Sequence, residues 1–161
     1  MSNDATYEDL ISHLREWIIR LPDSKYLIPI LKLRIKPEDA TLLSRIPFIG
    51  HTAEYLSVKL GVPPNKLVKK LEKFSKEGII FRNKKGSEIR YSLRDSLFIF
   101  FRSLGWKGKS DKLNRKISPL LNQYYIETYA EEFIGHETQG LRTIPINETI
   151  RDTRQVMPYE D

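Results

Sequence analysis

The sequence predicts a mainly α-helical fold with one small β-hairpin. Several segments have apolar residues three or four positions apart, as at Leu67 and Leu71, which is the spacing of one helix face. Two short runs rich in β-branched and aromatic residues, Ile79–Arg82 and Ile89–Leu93, flank a polar segment that contains Gly86, an order typical of a hairpin. With 161 residues, of which 40% are hydrophobic and 30% charged, the chain is long enough to bury a core of its own.

The N-terminal region, residues 1–35, is expected to contain two helices. Thr6 is a candidate N-cap for the first helix, and apolar residues at helical spacing continue from there until Pro22–Ser24 ends it. A second short helix can begin at Ser24, although Pro29 is expected to kink or break it. Both helices are expected to pack on the body of the domain.

Two more helices are predicted in the segment that follows. Pro37 begins the first of them, because proline is favoured in the first turn of a helix and the acidic residues after it suit the N-terminus. Pro47 ends this helix, and a short extended link leads to Thr52, which caps the next one. Gly61 is placed as a C-terminal glycine. The inward-facing residues of this helix are expected to be Tyr55, Leu56 and Leu60.

A fifth helix is predicted to begin at Pro64 or Asn65 and to end at Gly78. Its apolar positions are Leu67, Val68, Leu71 and Phe74. Leu67, Leu71 and Phe74, spaced by four and three positions, are expected to be buried on one face. Its lysines are therefore expected to point outward: Lys66, Lys69, Lys70, Lys73 and Lys76. The hairpin follows at once, with residues 83–88 as its turn.

Positive charge is concentrated in one part of the chain. The formal net charge is +6. Between Thr52 and Arg94 there are eleven Lys and Arg residues and four Glu residues, whereas the rest of the chain has 16 basic and 17 acidic residues. An excess confined to one segment suggests a polyanionic partner.

The order of elements in residues 36–94 resembles a winged helix-turn-helix domain of the MarR-like and related prokaryotic groups. The resemblance lies in the spacing of Thr52, Leu56 and Gly61, followed by Leu67 and Gly78. It implies that residues 65–76 form the recognition helix of a DNA-binding domain and that residues 82–90 form the wing. The candidate DNA-binding residues are Asn65, Lys66, Lys69, Lys70, Lys73, Arg82, Lys84, Lys85 and Arg90.

The side chains of the fifth helix suit phosphate better than bases. Guanine is recognised best by Arg and adenine by Asn or Gln, but this helix has no Arg, and Asn65 is its one amide. Lysine acts as a flexible point charge. We therefore expect DNA binding of low sequence specificity, or regulatory binding. The alternative is a winged helix that docks to another protein without binding DNA.

The C-terminal helices, residues 95–135, are predicted to be strongly apolar. Asp95 or Ser96 can cap a first helix that ends near Gly105. A longer helix ending at residue 135 begins either at Ser118–Pro119 or already at Asp111, with a kink at the proline. Its apolar residues cover more than one stripe. Either the helix is enclosed within its own chain, or it pairs with a second copy to form a homodimer.

Residues 136–161 have little periodicity and are predicted to form an extended tail or linker. The winged-helix region followed by "SLFIFFRSLGWKG", "NRKISPLLNQYY", "GLRTIPINETI" and "DTRQVMPYED" resembles the N-terminal region of 4Fe-4S ferredoxin-type proteins of anaerobes. That resemblance implies a domain of a longer electron-transfer protein, with a redox protein as a partner. The chain has no cysteine, so a 4Fe-4S cluster could bind only in a missing C-terminal region, and no cofactor is expected in this chain.

No motif of enzyme catalysis is present. His13, His51 and His136 stand singly, without metal-ligand spacing, and neither a phosphate-binding glycine loop nor a nucleophile motif occurs. We expect no catalytic residue, no metal site and no enzyme activity. The N-terminus lacks a signal-peptide pattern, and the longest apolar run, Leu97–Phe101, is far shorter than a membrane span. A cytoplasmic protein with no membrane partner is expected.

Overall fold

Helices dominate the chain, and three short strands form one antiparallel sheet. The computed structural model describes residues 3–17, 21–96, 98–105, 108 and 110–130, so the predicted tail at 136–161 lies outside the described residues. The elements in chain order are α1 (Asn3–Arg15), α2 (Leu27–Arg34), α3 (Pro37–Leu43), β1 (His51–Thr52), α4 (Ala53–Leu60), α5 (Pro64–Lys76), β2 (Ile80–Lys85), β3 (Glu88–Leu93), a π-helical turn (Phe98–Arg102), α6 (Ser103–Gly105), α7 (Lys112–Tyr124) and a second π-helical turn (Tyr125–Tyr129).

The first helix is shorter at its C-terminus and starts earlier than predicted. It begins at Asn3, so Thr6 lies inside it and the prediction that Thr6 is the N-cap is wrong. It ends at Arg15, well before Pro22. The reason is tertiary, because Trp17 has left the helix and stacks on Phe48 with 4.8 Å between ring centroids.

Pro29 neither breaks nor ends the second helix. It is the third residue of α2, within the first turn, where a backbone N–H has no intrahelical partner. The missing N–H of proline therefore removes no helical hydrogen bond at this position. The prediction of a break is wrong for that reason. Leu27, Ile30 and Leu31 are buried along the same helix.

Most of the local signals that frame α3, α4 and α5 are confirmed, but α3 ends at Leu43 and not at Pro47. Pro37 occupies the first turn of α3, and the Thr52 hydroxyl accepts a hydrogen bond of 3.3 Å from the Tyr55 backbone N–H. Gly61 ends α4 with φ at 67°, a left-handed conformation that suits glycine. The inward orientation predicted for Tyr55 is wrong, since this side chain is exposed and stacks on His51 at 4.2 Å.

The β-hairpin is confirmed, and a third strand is added to it. β2 and β3 pair in antiparallel fashion from Ile80 opposite Leu93 to Lys85 opposite Glu88. The turn is thus narrower than residues 83–88 and centres on Gly86, whose φ is 63°. The extended link predicted before the fourth helix is β1, which pairs with β3 and gives the strand order β1-β3-β2. A two-residue strand is too short to show a sequence period.

The C-terminal helices differ from the prediction in their local form. The expected helix up to Gly105 is a π-helical turn followed by the short α6. α7 begins after Asp111, whose carboxylate caps it by accepting a 2.8 Å hydrogen bond from the Asn114 N–H. Pro119 lies inside α7, as in the alternative that placed the start at Asp111. The predicted end at residue 135 lies outside the described residues.

One hydrophobic core contains residues from both ends of the described chain, from Tyr7 to Tyr124. α7 packs against α2, and the Tyr124 hydroxyl donates a hydrogen bond of 3.1 Å to the carbonyl of Pro22. One face of α7 is therefore enclosed within its own chain. Other apolar residues of this region remain exposed, namely Leu113, Tyr125 and Ile126. Homodimer formation through them stays a prediction. In the described part of the chain, no helix has both the length and the apolar character needed to cross a bilayer.

Arg34, the last residue of α2, joins three parts of the fold. Its Nη2 donates to the Glu77 carbonyl at 2.7 Å and to the Ser103 hydroxyl at 2.5 Å, and its Nη1 donates to the Ile99 carbonyl. The Glu77 carbonyl lies at the C-terminal end of α5, where helical carbonyls lack partners. Burial lowers the pKa of Arg34 to about 10, against a smaller opposing effect of the Glu77 carboxylate, so Arg34 is charged at neutral pH.

The Arg34 cluster predicts a large loss of stability on substitution. Arg34→Lys is expected to lower the free energy of unfolding by about 2–4 kcal/mol, because a single ammonium cannot reach all three acceptors and leaves carbonyls unbonded. The matched control is Arg115→Lys, since exposed Arg115 contacts one carbonyl at 3.2 Å and should change stability by less than about 0.5 kcal/mol. Urea unfolding followed by circular dichroism measures both, and equal effects would contradict the prediction.

Candidate nucleic-acid interface

The rotation of α5 is set by its buried residues. Leu67, Leu71 and Phe74 are buried, and an α-helix advances by about 100° per residue. The opposite side of α5 therefore carries Asn65 and Lys69, both of which are exposed. Sequence spacing alone predicted this division between an apolar and a polar face.

Four of the five lysines of α5 form a continuous stripe. They are spaced by three, four and three positions, which places them on one side of the helix, and all four are exposed: Lys66, Lys69, Lys73 and Lys76. Lys76 was not among the nine candidate residues. Lys70 lies nearer to the buried side and faces α3, so the five lysines do not share one outward face.

Asp39 holds Lys70 and also approaches Lys73. The Asp39 side chain is 7% exposed, and Lys70 Nζ donates a hydrogen bond to its Oδ1. Lys73 Nζ lies 3.8 Å from Asp39 Oδ2 and 4.0 Å from Glu77 Oε1. The sequence placed Asp39 only as an acidic residue at a helix N-terminus. Its contact with Lys70 spans 31 residues, and no local pattern indicates such a pairing.

Glu72 fastens α5 to the β2–β3 hairpin. Its Oε1 accepts a hydrogen bond of 2.9 Å from Arg82 Nε on β2 and one of 2.6 Å from the Tyr91 hydroxyl on β3. The hydrogen bond from Tyr91, together with Arg82, lowers the pKa of Glu72. Burial and the Glu72 carboxylate raise the pKa of Tyr91 to about 12, and the same carboxylate raises the pKa of Arg82. Arg82 is thus a structural partner of α5 in this structure.

The far end of the hairpin carries two further cations. Lys84 and Lys85 are exposed on β2, and neither has an ion-pair partner among the described residues. Arg90 on β3 is paired with Glu88, whose carboxylate accepts from its Nε. The hairpin therefore exposes two lysines near its turn, while its two arginines are engaged with carboxylates.

The nine candidate residues fall into two groups in the structure. Four cations have a carboxylate partner within the chain: Lys70, Lys73, Arg82 and Arg90. The others are exposed, and no ion pair to them occurs in the part of the chain that the structure describes: Asn65, Lys66, Lys69, Lys84 and Lys85. The contact between α5 and β2 brings the helix and the hairpin next to each other.

The chemistry of the described residues offers no metal site. No group of three or more His, Cys, Asp or Glu side chains that could hold a metal ion occurs among the residues with described positions. No protein-family model matches the chain, and no curated protein is significantly similar to it.

The pKa shifts at Glu72 predict how stability depends on pH. Glu72→Gln is expected to lower the unfolding free energy at pH 7, because it weakens the hydrogen bonds from Arg82 and Tyr91. The expected loss is only about 1 kcal/mol, since the Glu72–Arg82 pair is partly exposed. A lowered folded pKa means that the stabilisation by Glu72 is present above its unfolded pKa, about 4.3, and is lost as the pH falls through the folded pKa. The difference between wild type and variant should therefore shrink in acid.

The matched control is Glu54→Gln on the exposed face of α4. Urea titrations of both variants at a series of pH values make the comparison. Identical acid dependence for Glu72→Gln and wild type would show that Glu72 does not anchor the hairpin.

On the alkaline side, the raised pKa of Tyr91 stabilises the fold below the unfolded pKa of tyrosine, about 10. This stabilisation should fade as the pH rises through about 12.

Proposed function

We propose that the chain is a winged helix-turn-helix protein that binds double-stranded DNA mainly through the phosphate backbone, with low sequence specificity. In this assignment α4, the turn at Gly61 and α5 form the helix-turn-helix, and the β2–β3 hairpin is the wing. The element order from α3 to β3, with β1 pairing to the hairpin, supports the assignment. α5 is then the recognition helix.

The observation that carries the proposal is that three exposed lysines of the α5 stripe lie beside the hairpin lysines and have no ion-pair partner among the described residues: Lys66, Lys69 and Lys76. Leu67, Leu71 and Phe74 are buried and fix the rotation of α5. The fold therefore holds these lysines on the solvent-facing side of the helix. Lys84 and Lys85 extend the positive surface onto the hairpin. Lysines on two adjoining elements can contact phosphates on both sides of a groove.

The low sequence specificity in this proposal is supported by the pairing of the arginines with carboxylates. Arg is the side chain best suited to recognise guanine through two hydrogen bonds. On α5, β2 and β3 the arginines are Arg82 and Arg90, and both are bonded to carboxylates, Glu72 and Glu88. Asn65 is the one amide on α5. Backbone contact can proceed without disturbing these pairs, whereas direct readout by Arg would have to break them.

A second candidate function is docking to another protein. The outward face of α4 has Val58, which is 87% exposed, and Tyr55, which is 50% exposed. Apolar and aromatic side chains on a solvent-facing helix suit a protein partner better than phosphate. Association with a redox protein or with an iron–sulfur domain remains a prediction from the sequence resemblance.

Salt dependence and charge reversal test the DNA proposal. On α5 and the hairpin, five lysines have no ion-pair partner among the described residues, namely Lys66, Lys69, Lys76, Lys84 and Lys85. Each phosphate contact contributes about −0.9 to the slope of log Kobs against log salt concentration. The slope for a random-sequence duplex is therefore expected to be about −4 to −5. Lys66→Glu with Lys69→Glu should weaken binding at least about 100-fold at low salt. Fluorescence anisotropy with labelled duplex measures both quantities.

The matched control reverses the same number of charges elsewhere. Lys112→Glu with Lys116→Glu changes two exposed lysines of α7 and gives the same net charge, so it should retain most of the binding. A wild-type protein that does not bind duplex at low salt would rule the proposal out. Equal weakening by the two double variants would show that only net charge matters and that the α5 surface is not the binding site.

A further inference from the structure

We infer that Asp39 is an internal competitor of phosphate, which holds Lys70 and Lys73 in the unbound protein and thereby limits the strength of nonspecific DNA binding. The inference rests on the proposed DNA-binding function and concerns the regulation of the same surface. Asp39 is a positioning residue in this role, since it acts through the two lysines.

The carboxylate of Asp39 is built into the junction between α3 and α5. With its side chain only 7% exposed, it has little contact with water, and it is compensated by the ammonium groups of Lys70 and Lys73. A buried carboxylate without such partners is strongly unfavourable. The Asp39 carboxylate therefore holds the two lysines toward α3.

Both lysines remain accessible to solvent on their other side. The Lys70 side chain is 40% exposed and that of Lys73 is 53% exposed. A phosphate can reach them, but it has to compete with a carboxylate that is already in place. Glu77 Oε1, 4.0 Å from Lys73 Nζ, adds to this competition. Lys66 and Lys69 have no carboxylate partner among the described residues, so a phosphate can bind them without displacing a carboxylate.

Removal of the Asp39 charge should therefore strengthen DNA binding even though it weakens the fold. Asp39→Asn keeps the shape and a hydrogen-bonding side chain but releases the charge of Lys70 and Lys73. The slope of log Kobs against log salt concentration should become steeper by about 1 to 2, and Kd at about 50 mM KCl should fall about tenfold or more. A purely structural role would change binding in the opposite direction.

The experiment compares the full-length wild type with its Asp39 variants on one random-sequence duplex between about 50 and 200 mM KCl. Asp39→Glu keeps the charge and should keep the slope close to the wild-type value. Lys70→Gln with Lys73→Gln should leave the wild-type slope unchanged, because neither lysine contacts phosphate there. The same pair of changes in the Asp39→Asn background should restore the wild-type slope.

The outcomes separate this inference from the proposed function. If wild type binds DNA and folded Asp39→Asn has the wild-type slope, the inference is wrong while the proposed function stands. If neither protein binds at low salt, the proposed function fails and the inference falls with it. If circular dichroism shows that Asp39→Asn does not fold, the Lys70→Gln and Lys73→Gln protein decides: an unchanged slope supports the inference, and a slope smaller by about 2 overturns it.

Discussion

The orientation of α5 depends on the burial of Leu67, Leu71 and Phe74. Burying one such side chain contributes about 1.5–3 kcal/mol, whereas an exposed ion pair contributes about 0–1 kcal/mol. The apolar face therefore decides how the helix is rotated, and the charged contacts follow from that rotation. Once the helix is seated, Glu72 must face the hairpin, Lys70 must face α3 and the remaining lysines must face solvent.

Only part of the positive charge between Thr52 and Arg94 is available at the protein surface, because several of its cations are paired with carboxylates. Asp39, Glu72 and Glu88 each hold cations of α5 or the hairpin at short range. Because such contacts offset the field of the cations locally, the number of Lys and Arg residues overstates the positive surface that a polyanion would meet. The surface that remains positive is the outer side of α5 and the end of the hairpin, and that is the geometry on which backbone binding depends.

Several features set by neighbouring residues could be predicted from the sequence, although the Thr6 cap and the Pro29 break could not. Contacts between distant residues could not be predicted. The Thr52 cap, the Gly61 turn and the apolar face of α5 each need only a few consecutive residues, and the structure has them. The pairing of β1 with β3 joins Thr52 to Arg90, and Asp39 meets Lys70 across 31 residues. In these long-range cases the partner is chosen by packing, so the sequence indicated which side chains are charged but not which of them are already paired.

Rigidity and specificity are linked in this surface. Arg34 holds the C-terminal end of α5 through the Glu77 carbonyl, and Glu72 holds its middle to Arg82, so the helix is presented in one orientation. The lysines that it presents are flexible point charges, which tolerate many base sequences. Recognition of guanine by Arg82 would require it to leave Glu72, and that change would also weaken the anchor between α5 and the hairpin. Recognition of a base by Arg82 would therefore loosen the contact between α5 and the hairpin, on which the binding surface depends. This cost favours binding through phosphates.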